Sequence, residues 1–462
     1  MTPWIYVGRF DPGFLGISIR ASASDMHSFG LSDRSRWAPA DVLAELGDHA
    51  VVSDLSRKTV LDHELRHFRD SLLFPFGAAV TRARIHASYN GFQAATTLKL
   101  LSGDADTLPI PLQQWLRMPS DERSAYLAGK TGADGKPLRV PRLPVITADD
   151  DVTAFPAGLH GFDRADALLA GCRIALADYR MIDRLWQSPH ENAEKAVYKA
   201  IDAWEASAMI CQLAVIERHV GEPLMQRFMR WIERHGPAVY RRGLTGLTAC
   251  LERLNWPRTL RNHLVLVTWA QMGAYESETI MSSPGLRLAT LASAATLGSR
   301  WPEGSAFADL ARDWDAVVGS DSFGALQAAN ASFAAFCRRS AELPLLPPTL
   351  FSSLAAARRT MAEAFIADPD RYVTPSDYLA DETRYPLPCV GLEYPSEDLG
   401  SDWADSTPRD WSPAVDFDST LVLAGMAMLS DSLFLPDEKS RQRDGSRVIA
   451  NALGLHPRLL IG

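Results

Sequence analysis

His63 and His67 stand four residues apart in the run His63-Glu64-Leu65-Arg66-His67, with a carboxylate between them. On a helix, positions four apart share a face with Cβ atoms roughly 5–6 Å apart, so both imidazoles can reach a single metal ion. Glu64 then lies beside the place where an activated water would sit, and it is the candidate general base for hydrolysis. Zn2+ is the ion expected for two imidazoles and a carboxylate, and a catalytic zinc takes three protein ligands while keeping a fourth position open. The pattern therefore needs a helix beneath it and a third ligand from elsewhere.

The helix is well supported. Val60, Leu61, Leu65, Phe68 and Leu72 recur at helical spacing. At 100° per residue, His63, His67 and Asp70 fall on a different flank from Leu61, Leu65, Phe68 and Leu72, so the apolar flank is expected to face the core and the histidines a cleft. Asp54 or Ser56 is the expected cap and Pro75 the stop. Asp70, one turn beyond His67, is placed to accept a proton from a ligand imidazole or to fix Arg66, and a solvated helix residue is the plainer reading of it. A second helical pattern over 78–101 is expected to pack back on the first.

The third ligand must come from another element. Position 70 is Asp and position 73 is Leu, so the short continuation H-x-x-G-x-x-H that would supply a further histidine is absent. Glu205 is the best candidate. Its helix carries Val197, Ile201, Trp204, Ala208, Cys211 and Val215 on one stripe, with Glu205 and Gln212 along the edge, and a carboxylate at the margin of a buried stripe needs a partner. Ala206 and Ala208 would let that helix approach a neighbour closely. His86, nineteen positions after His67, and Glu276 and Glu278 remain alternatives.

The HELRH helix followed by a helix reading Glu205-Ala206-Ser207-Ala208 resembles zincin-type metallopeptidases of the gluzincin arrangement, over these two helices alone. The resemblance implies a zincin-like core with zinc held by His63, His67 and Glu205, Glu64 as general base, and a peptide or protein substrate. It also implies a polarising residue on the opposite wall, for which Tyr198, seven residues before Glu205, is the candidate. The separation of His67 from Glu205 is far longer than in compact gluzincins, and a proline-rich insertion and one extra helix account for the excess.

The rest of the chain frames this site. Its 462 residues, 47% hydrophobic and 22% charged, suit a globular protein of two or three domains. A formal net charge of −9 argues against nucleic acid or an anionic membrane as the main partner. The five cysteines are odd in number and contain no C-x-x-C pair, which favours a reducing compartment. With no apolar leader and no run of 18 apolar residues, a soluble cytoplasmic protein is expected. Phosphate-binding glycine loops, nucleophile elbows and kinase signatures are absent from the sequence.

By pattern the chain divides into four parts. Residues 1–102 form an N-terminal α+β part, with candidate strands in WIYVGRF, FLGISIR and 49–55 and a turn at Asp11-Pro12-Gly13. Residues 103–160 are a proline-rich insertion, 161–345 a helical domain, and 346–462 a helix, an acidic irregular segment over 368–418 and a final buried helix. The fold expected is mainly α with a small N-terminal α+β part. The alternative to a zinc-dependent hydrolase is a helical binding or regulatory protein in which HELRH is structural or holds a structural metal.

Overall fold

The computed structural model describes residues 8–20, 37–102, 177–179, 181–182, 185–186, 199–274, 283–294, 301–302, 304–341, 343, 346–380, 384–394, 402–408 and 411–434. The protein is mainly helical, with one small sheet among the described residues. Among the described residues no helix is long and apolar enough to cross a membrane.

The short helix α1 (Ala40–Glu45) leads into α2 (Asp48–Leu73), which carries HELRH, and α3 (Pro75–Ser102) follows. From Leu61 to Leu73 every residue of α2 is buried, so this half of the helix is surrounded on all sides. Eight of those residues are polar or charged (Asp62, His63, Glu64, Arg66, His67, Arg69, Asp70 and Ser71), and each needs a partner to offset its lost hydration. The expected division into an oily flank and a cleft-facing flank is therefore too simple.

Two local expectations are corrected. Residues 49–55 form the first turns of α2 and not a strand, because Val51, Val52 and Leu55 fit the core at helical spacing and packing overrides the β-preference of paired valines. The helix also begins before Asp54 and Ser56, with Gly47 at its N-cap, and Asp54 instead pairs with Lys58 one turn on, 2.9 Å away. Pro75 does close α2, which ends at Leu73.

Against α2 lies α4 (Ala200–Val220), itself nearly all buried. Its outer neighbours are α5 (Glu222–His235), α6 (Ala238–Arg253) and α7 (Leu260–Gln271). The approach to α6 is close: a Cβ on Gly243 would lie 2.6 Å from the Asp202 carbonyl oxygen and 3.0 Å from the Ala206 Cβ. Beyond α8 (Pro284–Ala294), α9 (Phe307–Val318) and α10 (Ser322–Ser340) comes α11 (Pro348–Ala367). Its Arg358 closes the C-terminal end of α2, with Nη1 donating to the Leu72 carbonyl at 2.6 Å and Nη2 to the Leu73 carbonyl at 3.4 Å. A cation at that end offsets the partial negative charge of the helix terminus.

The sheet has the order β1-β2-β3-β4, from β1 (Gly8–Asp11), β2 (Gly16–Arg20), β3 (Val390–Tyr394) and β4 (Asp402–Asp405). β1 and β2 form an antiparallel hairpin, β2 pairs with β3 in parallel, and β3 with β4 antiparallel. Half of the sheet thus comes from the acidic segment expected to be irregular. That segment also holds the short helices α12 (Pro369–Val373) and α13 (Pro375–Ala380). The last helix, α14 (Phe417–Phe434), packs along α3. The expected insertion over 103–160 lies outside the described residues.

Candidate metal centre

Two helices build the site. α2 presents His63 and His67 one turn apart, and α4 brings Glu205 to both of them. The Glu205 Oε2 atom lies 3.3 Å from His63 Nε2 and 3.2 Å from His67 Nε2, and the two imidazole nitrogens are 3.2 Å from each other. Among the described residues these three form the one group of histidine, cysteine or carboxylate side chains able to hold a metal.

The spacing fits an ion. With bonds of about 2.0–2.1 Å, neighbouring ligand atoms of a tetrahedral zinc site are about 3.3 Å apart. Three nearly equal separations of that length match one face of such a tetrahedron. A set held only by hydrogen bonds has no reason to be equilateral, since three contacts would have to share the available protons.

The walls fix the rings. His67 stacks on Trp204 with centroids 5.2 Å apart and planes 8° from parallel, and it meets His63 edge-on at 4.8 Å. On the far side of His63 the Tyr240 ring stands 5.7 Å away. His63 and His67 are buried, and the Glu205 side chain, 20% exposed, is the most open of the three.

Glu64 is buried next to the triad. The backbone N–H of Phe10 in β1 donates to its Oε2 at 2.7 Å. β1 comes so near α2 here that a Cβ on Gly8 would collide with Val60 and lie 3.1 Å from Glu64 Cγ. Only glycine fits. Burial pushes the Glu64 carboxyl above its ordinary range, against the opposing pull of His63 and His67. Burial likewise opposes charge on His67 and on Glu205. The Glu205 carboxylate outweighs it and raises His67, and His67 and His63 together outweigh it and hold Glu205 well below the usual carboxylate range.

Among the described residues Asp70 makes no hydrogen bond to the ligand rings; it fixes Arg66 instead. Its Oδ1 lies 3.0 Å from Arg66 Nε and accepts from the Tyr372 hydroxyl at 2.7 Å, while Gln271 donates to Oδ2 at 3.4 Å. His86 sits on α3 against Phe336, with centroids 5.1 Å apart, and is not part of the metal-capable group. Tyr198, Glu276 and Glu278 lie outside the described residues. Trp204, Tyr240 and the Phe10 N–H were not anticipated as wall or partner: Trp204 reads from sequence as a core residue, and neither a distant tyrosine nor a backbone donor leaves a sequence mark. Comparison with protein-family models, curated proteins and solved structures gave no match to this chain.

Proposed function

We propose that this chain is a zinc-dependent hydrolase that cleaves a peptide or protein, with His63, His67 and Glu205 as ligands and Glu64 as general base. The observation that carries the reading is the equilateral 3.2–3.3 Å spacing of the three ligand atoms. When bound, zinc would supply a Lewis acid and lower the pKa of a water molecule at the site. Glu64, held by the Phe10 N–H through one oxygen, keeps the other to take up a proton. Glu205 and the two imidazoles, held by Trp204 and by each other, present their lone pairs without large reorganisation. The choice of a peptide bond rests on the resemblance of the two helices to zincins. A cytoplasmic location is proposed on the cysteine pattern.

A second reading has its own support. Both histidines and Glu64 are less than a tenth exposed and one Glu64 oxygen is already bonded, which suits a metal with a structural role in a binding or regulatory protein. Elemental analysis of the purified protein is the first test: about one zinc per chain is expected, with loss in His63→Ala, and a metal-free parent that takes up no zinc would remove both metal readings. Glu64→Gln then separates them. On a peptide library it is expected to keep the metal and lose on the order of 10²–10⁴-fold in rate. Undiminished hydrolysis by that variant excludes Glu64 as base, and a parent with no hydrolytic activity leaves the structural role.

A further inference from the structure

The ligands are divided between two helices, so their spacing depends on how α2 and α4 are registered. Metal–ligand distances tolerate only about ±0.2 Å. Apolar side chains packed between helices do not by themselves hold register that closely, and something directional is required.

Two buried side-chain hydrogen bonds cross the helix pair close to the triad. Arg66 Nε, between the two histidines in sequence, donates to Ser207 Oγ at 2.9 Å, two residues beyond Glu205. Gln212 Nε2 donates to Thr59 Oγ1 at 2.7 Å, one turn before His63. Thr59 is itself anchored, donating to the Leu55 carbonyl at 2.6 Å.

Arg66 is the more constrained of the two donors. It is fully buried, and its guanidinium also donates to the Tyr372 carbonyl at 3.2 Å and to Thr268 Oγ1 at 3.3 Å. Asp70 meets it at 3.0 Å and the Tyr372 ring lies 3.9 Å from its Cζ. Partners on α2, α4, α7 and α12 leave the guanidinium one position. Burying a guanidinium is expensive, and an aliphatic residue would fill the space with less penalty, so the arginine contributes direction more than packing.

We propose that Arg66 is a positioning residue for the metal centre, setting the α2–α4 register through Ser207 so that Glu205 meets His63 and His67 at coordination distance. The inference rests on the metal reading above. It predicts that loss of the Ser207 hydroxyl weakens metal binding even though Ser207 touches no ligand atom in the triad.

The test uses the full chain with Ser207→Ala, Arg66→Lys and the double variant. Zinc dissociation constants come from competition with a chromophoric chelator, ligand geometry from the visible absorption of the Co2+-loaded protein, and folding from thermal melts of the metal-free forms. Ser207→Ala is expected to bind zinc 10–100-fold more weakly, with altered Co2+ bands, as is found when partners behind metal ligands are lost. The double variant should bind no more weakly than Arg66→Lys alone. Arg287→Met, which breaks the network joining α7 to Asp315 of α9, serves as the folding control. It should lower the melting temperature and leave the zinc constant unchanged. A parent that binds neither ion overturns the metal reading and this inference together. A parent that binds, with Ser207→Ala matching it in affinity and spectrum or Arg287→Met losing affinity equally, overturns the inference alone.

Discussion

Around Arg84 two carboxylates are matched by guanidinium groups, whereas His63, His67 and Glu205 bring three atoms of metal-ligand type within 3.3 Å of one another. Arg84 Nη1 and Nη2 donate to the two oxygens of Asp431 at 2.8 and 3.1 Å, while Nε and Nη2 donate to the two oxygens of Asp11 at 3.3 and 3.0 Å. Asp11 also receives Arg9 and the Gly13 N–H, and the Tyr179 hydroxyl donates to Asp431 at 2.5 Å. Burial works against charge on Asp11, but Arg84 and Arg9 hold its carboxyl far below the usual range. Two arginines meet two carboxylates, and the cluster pins the turn after β1 to α3 and α14. At the triad two imidazoles gather with two carboxylates, Glu205 and Glu64, and His63, His67 and Glu205 among them could hold a metal ion. A closed network of this kind holds a fold together; convergent lone pairs are what a ligand requires.

The comparison breaks most forcefully at Arg84. Arg84→Met takes from Asp11 and Asp431 the guanidinium they share, leaving Arg9 on one and the Tyr179 hydroxyl on the other, and removal of one partner from a buried ion cluster costs about 3–5 kcal/mol. Urea unfolding should show that loss, with the metal content of the folded protein unchanged. Unaltered stability would mean that the cluster is not the tie described.

The triad should behave in the opposite way, through its ligand. Zinc at about a hundred times its dissociation constant is expected to stabilise the parent by about 3 kcal/mol, since it binds the folded form. Arg84→Met should respond to the same extent from its lower starting point, and His63→Ala not at all. A zinc response in His63→Ala equal to that of the parent would place the ion elsewhere.

The two clusters also differ in how far the sequence reveals them. Helical spacing is a local constraint, so the juxtaposition of His63, Glu64 and His67 is legible within five residues. Glu205 is legible as a carboxylate on the edge of an apolar stripe, even across so long a gap. The Arg84 cluster draws on Asp11, Tyr179 and Asp431, whose separations obey no period, and nothing local marks them as neighbours. The sheet shows the same limit. The hairpin at Asp11-Pro12-Gly13 is readable from its turn, yet its continuation into β3 is a parallel pairing with a strand near residue 390, inside a segment whose acidic composition suggests a surface loop. Nor could Val51 and Val52 reveal a helix, since their burial is decided by tertiary packing.

Between these two plans stands Asp178, next to Tyr179 of the closed cluster. Its carboxylate is buried and accepts from Asn90 Nδ2 at 2.9 Å. Burial pushes its acid up from 3.8 to about 7, against the weaker effect of that hydrogen bond. From about pH 4 to about pH 7 the folded protein therefore holds a proton that the unfolded chain has released, and the contribution to stability falls as pH rises through that window. Asp178→Asn keeps an acceptor for Asn90 and has no charge to bury. Above the window, at about pH 8, it should be more stable than the parent by about 4 kcal/mol, and the difference should vanish below about pH 4, where the parent's Asp178 is protonated in the folded and the unfolded chain alike. Thermal melts of both proteins across that range measure it. Parallel pH profiles would mean that a counter-charge reaches Asp178, making it a member of the closed cluster after all.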